Sequence, residues 1–370
     1  MRIALCTRHL ADMTSLNIMG SLARELSRQN HAPFLYTASP DSKTLRTLKF
    51  PLHILPNKND QALARSLAKV LSQDKIELVH LRLGGAYRNP FVWSLSRLSK
   101  LKQHPRLSLQ FDDFGNPDLP LDCPRTARDL KKLMLGGAHV AAVSRAVRDC
   151  VVSYWPRMKH RVQVIGNGVD LDWAERCNGH KHFVEPYILS VGRPARYKGM
   201  DLLIFAFAEI ADKFPVNLVI TGPDMENNVL RRLVRKLKLE NRVRFAGFTE
   251  HRKLPGLLQS AEFFVLASRW ESFGIAALEA MAAGKAVIAP RLGGFLDYIE
   301  DGKTGLLFSP EDPRALANAM RQLLNHPSQR RALGSAARQM ARRRSWSAVA
   351  DQYLRLWRDH RYSGFTRRLN

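Results

Sequence analysis

The sequence predicts an α/β protein of two parallel-sheet domains. Three observations predict it. Short apolar runs alternate with amphipathic helical segments along nearly the whole chain. The alternation breaks once, near residues 173–186, and then restarts. A length of 370 residues suits two domains of about 150–200 residues each.

The elements follow in order. "MRIALCT" reads as a buried strand and "IMGSLARELSRQNH" as an amphipathic helix with Leu22 and Leu26 on one face. "APFLYTA" is a strand, "DQALARSLAKVLSQDK" a helix, "IELVHLRL" a strand and "FVWSLSRLSKLKQ" a helix. "RLSLQF" is a strand, "ARDLKKLMLGG" a helix ended by glycines, and "HVAAVS" a strand. "RAVRDCVVSYW" is a helix stopped by Pro156, and "RVQVIGNGVD" a strand and turn. "WAERCNGHKHFVEP" breaks the rhythm and reads as a linker, which puts a domain boundary at 183/184. Beyond it, "YILSVGR", "VNLVITG", "VRFAGF" and "EFFVLAS" are strands. "GMDLLIFAFAEIADKF", "NVLRRLVRKLKL", "RKLPGLLQSA" and "GIAALEAMAAG" are the helices between and after them. "AVIAP", "LDYIED" and "TGLLFS" follow, then helices over 312–326 and 328–343 and a last one in "WSAVADQYLRLWRDHR". The expected domains are 1–183 and 184–345, with a cleft between them, and 346–370 as a terminal helix and basic tail.

Composition narrows the function. The four cysteines, Cys6, Cys123, Cys150 and Cys177, are scattered without a C-x-x-C pair. That pattern argues against a disulfide scaffold and against a zinc site, and favours a reducing compartment. The apolar stretch in "MRIALCTRHL" is too short for a signal peptide, and no run of about 18 apolar residues reads as a membrane span. The net charge of +25 predicts attraction to an anionic partner. Up to Val184 stand 28 basic and 15 acidic residues, so the excess is shared between the halves. Nine Lys or Arg against two Asp lie between Arg125 and Arg161, interleaved with Tyr154 and Trp155, a pattern that suits an anionic membrane face. A second such stretch, 330–344, has no acid.

Parallel sheets bind ligands beyond the carboxyl ends of their strands, where helix N-termini point. Two such corners carry chemistry. In "SVGRPARYKGMDLL", Gly192 allows close approach, and Arg193 and Lys198 can clamp a diphosphate. It is not a P-loop, because G-x-x-x-x-G-K-[ST] is absent. In "SRWESFGIAALEAMAAGK", a helix starting near Ser272 or Phe273 would aim the N–H groups of Phe273, Gly274 and Ile275 at an anion. Glu271 precedes that helix and Glu279 lies two turns along it, so the carboxylates stand roughly 10–12 Å apart. That is too far for a shared acid/base pair. It matches the span from sugar to ribose in a nucleotide diphosphate sugar, with the diphosphate at the helix end between them. Glu279 sits among Ala276, Ala277, Leu278, Ala280 and Met281, where an unpartnered acid is costly.

These blocks resemble retaining glycosyltransferase family 4, the group 1 glycosyl transferases of GT-B fold. "E-S-F-G-I-A-A-L-E" with the following "G-G-F-L-D-Y-I-E-D-G-K-T-G-L-L-F" resembles its E-x7-E block, and "S-V-G-R-P-A-R-Y-K-G" its G-R-x-x-x-x-K-G block. "V-I-G-N-G-V-D", which contains Asn167, is similar to its N-G-V-D turn, and "A-V-S-R-A-V-R-D" to its A-V-S strand end. "W-S-A-V-A-D-Q-Y-L-R-L-W" is similar to the C-terminal helix that crosses back to the first domain. The resemblance covers nearly all of the second half in register and is weak in the first. It implies two Rossmann-like domains facing a cleft, the first on the acceptor side and the second binding a nucleotide sugar. It implies that Arg193 and Lys198 neutralise the diphosphate. Glu271, with the amides of Phe273 and Gly274, would hold the donor sugar, and Glu279 the ribose. The implied activity is transfer of a hexose with retention to a hydroxyl of a lipid-linked or envelope glycan, without metal or other cofactor. UDP-sugar is the first expectation for the donor and GDP-mannose the second. The implied setting is cytoplasmic, at the inner face of the membrane.

The first half departs from that pattern. No glycine follows the first strand until Gly20. Where the family carries a histidine near position 110, "LSLQFDDFGN" has Asp112 and Asp113; His80 in "LVHLRLGG" is another candidate for that sugar contact. "D-L-D" at 170–172 continues the N-G-V-D turn and is discounted as a metal motif. Two alternatives stay open. A catalytically silent GT-B scaffold fits the altered first half, and a nucleic-acid-binding protein is supported by charge alone.

Overall fold

A computed structural model describes residues 1–9, 13–39, 50–55, 60–84, 90–99, 104–114, 123–176, 183, 185–222 and 228–359. The chain forms two compact units: residues 1–168 with the segment from Trp346 onward, and Val169–Ser345.

Unit 1 is built on a seven-stranded parallel sheet. Its strands are β1 (Arg2–His9), β2 (Ala32–Ser39), β3 (Leu52–Ile54), β4 (Leu78–Leu83), β5 (Arg106–Phe111), β6 (His139–Ala142) and β7 (Val162–Val164), in the order β3-β2-β1-β4-β5-β6-β7. All six residues of β4 are buried, as a strand covered on both faces requires. The helices are α1 (Met13–Arg28), α2 (Asp60–Gln73), α3 (Pro90–Leu98), α4 (Pro124–Leu135) and α5 (Arg145–Tyr154). Ser144 caps α5 by accepting from the N–H of Val147. The sequence pattern does not reveal β3, a three-residue edge strand with no fully buried position to mark it.

Unit 2 carries a six-stranded parallel sheet. Its strands are β8 (Tyr187–Val191), β9 (Asn217–Thr221), β10 (Val243–Gly247), β11 (Phe264–Val265), β12 (Val287–Pro290) and β13 (Leu306–Phe308). The order is β10-β9-β8-β11-β12-β13, the doubly wound arrangement in which ligands bind where the order reverses. Its helices are α6 (Leu171–Glu175), α7 (Met200–Ala208), α8 (Asn228–Lys236), α9 (Leu254–Ser260), α10 (Ile275–Ala282), α11 (Pro313–Asn325) and α12 (Pro327–Arg342). Apolar side chains from β8, β9, α7, α11 and their neighbours form one core, with Phe207, Ile220 and Phe263 fully buried.

The chain passes from unit 1 to unit 2 at Gly168, ahead of the boundary expected at 183/184. The start of the expected linker is structured: Asp170 caps α6 by accepting from the N–H of Trp173, and Trp173 is buried. Asp170 thus serves as a helix cap. Residues 177–182 and 184 of that linker, residues 10–12 after β1 and the basic tail 360–370 lie outside the described residues. Cys6, Cys123 and Cys150 are free thiols. Among the described residues no helix is long and apolar enough to cross a membrane.

The last helix, α13 (Trp346–Arg358), belongs to unit 1 and packs on α1. Trp357 is fully buried, its indole N–H donates to Ser108 Oγ at 2.9 Å, and its carbonyl accepts from Arg106 at 2.8 Å. Ser108 Oγ also lies 3.0 Å from His80 Nδ1. The His80 ring packs against Tyr353 and Trp357, at centroid distances of 4.8 and 5.4 Å. The sequence offers His80 as a sugar contact, and the structure corrects that expectation. His80 lies in the middle of β4 with no exposed surface, so no substrate can reach it.

Burial lowers the pKa of His80 from 6.5 to about 3, with the nearby Arg82 cation adding to the effect. The unfolded chain therefore takes up this proton near pH 6.5, and the folded chain only near 3. The stability contributed is full above pH 6.5 and is lost as pH falls toward 3. Between pH 6.5 and 5 the loss through His80 is expected to be about 2 kcal/mol. Urea unfolding at both pH values should show a shallower pH dependence in His80→Gln. Equal slopes in variant and wild type would remove His80 as the source.

Candidate active site

Unit 2 reverses its strand order between β8 and β11, and two loops leave the sheet there. The first runs from Gly192 to Gly199. Arg193 is exposed, and Lys198 ends a 3-10 turn over Arg196–Lys198. Gly199 has φ +62, and a Cβ there would stand 1.9 Å from the carbonyl oxygen of Ala267. Only glycine lets this loop lie against the end of β11.

The second loop, 268–274, leads into α10. Arg269 fastens the two loops together. Its N–H donates to Tyr197 O at 2.7 Å, and its guanidinium holds both Asp201 carboxylate oxygens at 2.8 and 2.7 Å. A third segment clamps the loop from below. Gly293 has φ +55, with its Cβ position 2.1 Å from Glu271 O, and the N–H of Gly294 donates to that same oxygen at 3.0 Å. Tyr298 Oη donates to the carbonyls of Phe273 and Gly274 at 2.9 and 2.8 Å.

This clamp shifts the helix start. The sequence places it near Ser272 or Phe273, whereas α10 begins at Ile275 behind Gly274, whose φ is +88. Tyr298 Oη holds the carbonyls of Phe273 and Gly274, and a Cβ on Gly274 would stand 2.4 Å from the Phe295 ring, so the chain enters the helix only after a left-handed glycine. No backbone carbonyl among the described residues accepts from the N–H of Phe273, Gly274 or Ile275.

The structure brings Lys198 and Glu271 together. Lys198 Nζ donates to Glu271 Oε2 at 2.7 Å, and Ser268 Oγ donates to the same oxygen at 3.3 Å. The sequence marks both residues but not their contact. Glu279 lies two turns along α10 with its side chain 14% exposed, and its Oε1 accepts from His251 Nε2 at 2.8 Å. Nothing in the sequence points to His251. It opens a 3-10 turn over His251–Lys253, between β10 and α9, where no motif marks it.

Unit 1 has a polar cluster of its own. Asp112 follows β5 directly; Arg82, near the end of β4, donates from Nε to its Oδ2 at 2.9 Å and brings Nη2 to 2.8 Å from its Oδ1 as an ion pair. The same guanidinium reaches Asn167 Oδ1 at 3.5 Å. Burial pushes the Asp112 carboxyl up, against the pull of Arg82. Arg82 thus joins Asp112 to the N-G-V-D turn. Asp113 is adjacent and partly exposed.

The two basic stretches differ. In 125–161, Arg128, Lys131, Lys132, Arg145, Arg157 and Lys159 are exposed, and Tyr154 is 55% exposed beside them. In 330–344 three arginines are engaged inside unit 2. Arg330 pairs with Glu262, Arg338 with Glu175, and Arg344 lies over the rings of Phe273 and Tyr298.

Two doubly wound sheets, with a cation, a carboxylate and a helix N-terminus where the order reverses in the second, define a GT-B glycosyltransferase fold. Residues 17–173 match the model Glycosyltransferase Family 4, and residues 179–340 match Glycosyl transferases group 1. The D-inositol 3-phosphate glycosyltransferase of Corynebacterium glutamicum (strain R) is 35% identical over 292 residues, 74% of this chain and 67% of that protein. The chain belongs to glycosyltransferase family 4. Shorter matches are also found. Mannosylfructose-phosphate synthase of Agrobacterium fabrum (strain C58 / ATCC 33970) is 34% identical over 46% of this chain and 39% of that protein. The chain spans about half the length of several curated relatives it matches, 51% in the uncharacterized glycosyltransferase MJ1607 of Methanocaldococcus jannaschii. Among solved structures, a glycosyltransferase from Rickettsia africae ESF-5 superposes with TM-score 0.83 at 20% identity over 98% of both chains. Anabaena Alr3699/HepE, solved with UDP and glucose, superposes with TM-score 0.80 at 21% identity over 96% of this chain and 99% of that one.

Proposed function

We propose that the chain is a retaining glycosyltransferase that moves a hexose from a nucleotide diphosphate sugar to a hydroxyl of a lipid-linked or cell-envelope glycan. The observation that carries this reading is the Lys198–Glu271 pair beside three amides with no backbone acceptor among the described residues, at the β8/β11 switch point. A diphosphate placed there meets the Lys198 ammonium, the Arg193 guanidinium and the N-terminus of α10. Glu271 accepts from hydroxyls of the sugar, and Glu279 from the ribose diol. As the bond from C1 to the diphosphate breaks, its electron pair leaves with the phosphate oxygen, and these fixed charges stabilise the departing anion. The acceptor hydroxyl attacks on the same face, and its proton passes to that phosphate oxygen. No metal is needed in this scheme, because side-chain cations and amides carry the neutralisation. UDP-sugar is the first candidate donor, a choice supported by the UDP held in Alr3699/HepE, and GDP-mannose the second.

In unit 1, Asp112, Asp113 and Asn167 serve the sugar or acceptor side. The exposed cations of 125–161 with Tyr154 rest on the anionic inner face of the cytoplasmic membrane, at about 1 kcal/mol per basic residue near the surface. Of 330–344, only Arg331, Arg342 and Arg343 are exposed for such contact.

Calorimetry and thermal shift with UDP, GDP, ADP and their sugar conjugates, with and without EDTA, test the donor reading. One nucleotide should stabilise the protein selectively and independently of EDTA. Glu279→Ala is expected to weaken that nucleotide by about 10- to 100-fold, the worth of hydrogen bonds to a carboxylate. Silence toward every nucleotide at millimolar concentration would remove the donor site and leave a scaffold.

A further inference from the structure

We propose that His251 is a positioning residue that presents Glu279 to the ribose diol of the donor, and that Trp173 fixes His251 for this task. The proposal rests on the donor reading above and assigns a device within that site.

The geometry is built in layers. The loop after β10 is tied to the end of β9: Thr221 Oγ1 donates to Gly247 O at 2.7 Å and lies 2.6 Å from Thr249 Oγ1. His251 follows two residues later. Its ring lies parallel to the Trp173 indole, with centroids 4.3 Å apart and planes within 10°. The Trp173 indole N–H donates to the His251 carbonyl at 2.9 Å, so ring and backbone are held by one side chain. Trp173 is anchored in turn by the Asp170 cap of α6 and by Gln259 of α9, which donates to Ala174 O at 2.9 Å.

His251 Nε2 reaches Glu279 Oε1 at 2.8 Å. A carboxylate only accepts, so Nε2 carries the proton. This is the one hydrogen bond to the Glu279 side chain among the described residues, and Oε2 has no protein partner there. A guanidinium would cover both oxygens with its fork. A single imidazole N–H instead locks the rotamer and leaves one oxygen, and part of the other, to accept from two vicinal hydroxyls. A glutamate side chain has several rotamers to lose, so holding it beforehand lowers the cost of binding. The contact forms with substrate and transition state alike, so its loss should appear in KM and leave kcat nearly unchanged.

The test pairs UDP with 2′,3′-dideoxy-UDP, and GDP with its dideoxy analogue, on wild type, His251→Ala and His251→Gln. A glutamine can still present an N–H toward Glu279. The expected result is that His251→Ala weakens the ribonucleotide about tenfold. It should leave the dideoxy analogue unchanged, and His251→Gln should restore most of the loss. Equal weakening of ribo and dideoxy forms would show a structural or stacking role and overturn the proposal. Undiminished ribonucleotide binding by His251→Ala would overturn it too while leaving the donor reading intact. The same pair is run with ADP and its dideoxy analogue, and failure of the wild type to bind any of the three ribonucleotides overturns the donor reading and this proposal together.

Discussion

Replacing Lys198 by alanine is expected to lower the transfer rate by about 10²- to 10³-fold, the usual cost of removing one group aimed at developing negative charge. The variant also strips Glu271 of its cation. That carboxylate side chain is 9% exposed and the ammonium 19%, between a surface pair and a fully buried one. The accompanying loss of stability should be about 2 kcal/mol. The two effects can be separated. In the double variant Lys198→Ala with Glu271→Gln, the unpaired charge is gone, so stability should recover by most of that amount. Turnover should not recover, because the cation facing the leaving diphosphate is still missing and the carboxylate assigned to the sugar is gone as well. Steady-state kinetics and urea melts on both variants decide the matter. A double variant with wild-type turnover would remove both Lys198 and Glu271 from the reaction and leave their pair a structural one.

Gly293→Ala is expected to destabilise unit 2 by roughly 3 kcal/mol or more and to abolish donor binding. Its φ of +55 lies in the left-handed region, and its Cβ would stand 2.1 Å from Glu271 O. The conformational strain alone costs about 1–3 kcal/mol, and the clash is with backbone that cannot rotate aside. Relief would push out the loop that carries Glu271 and the amides before α10. In a unit of this size the melting temperature should fall by roughly 6–12 °C. Gly302→Ala is the control. Its φ is also positive, +72, but nothing lies within 4 Å of its Cβ position, so strain without displacement should leave nucleotide binding intact. Loss of binding in both variants would show that the clamp on Glu271 is not the cause.

The alternation of apolar runs and amphipathic helices is enough to read two parallel sheets, because the period of each element is written locally in its side chains. The short edge strand β3 and the cap-initiated α6 escape that reading. Their few residues carry no periodicity, and they form because β2 and Asp170 offer partners. The candidate site is marked in the sequence where chemistry and glycine coincide, at Gly192–Gly199 and Glu271–Glu279. Cations gathered at a strand end, and an acid on an otherwise apolar helix, are costly unless a ligand or a partner meets them. His80 misleads because a histidine beside a strand end looks the same whether it faces solvent or lies beneath α13, which arrives from 265 or more residues along the chain. Arg82 and His251 are invisible for the same reason: their partners, Asp112 with Asn167 and Glu279 with Trp173, are remote in sequence. The sequence by itself determined the fold class and the residue types at the switch point, since both depend on local pattern. Only the tertiary structure decided which cation meets which carboxylate, where α10 starts, and which histidine meets Glu279, because each is set by contacts between segments that no local pattern relates.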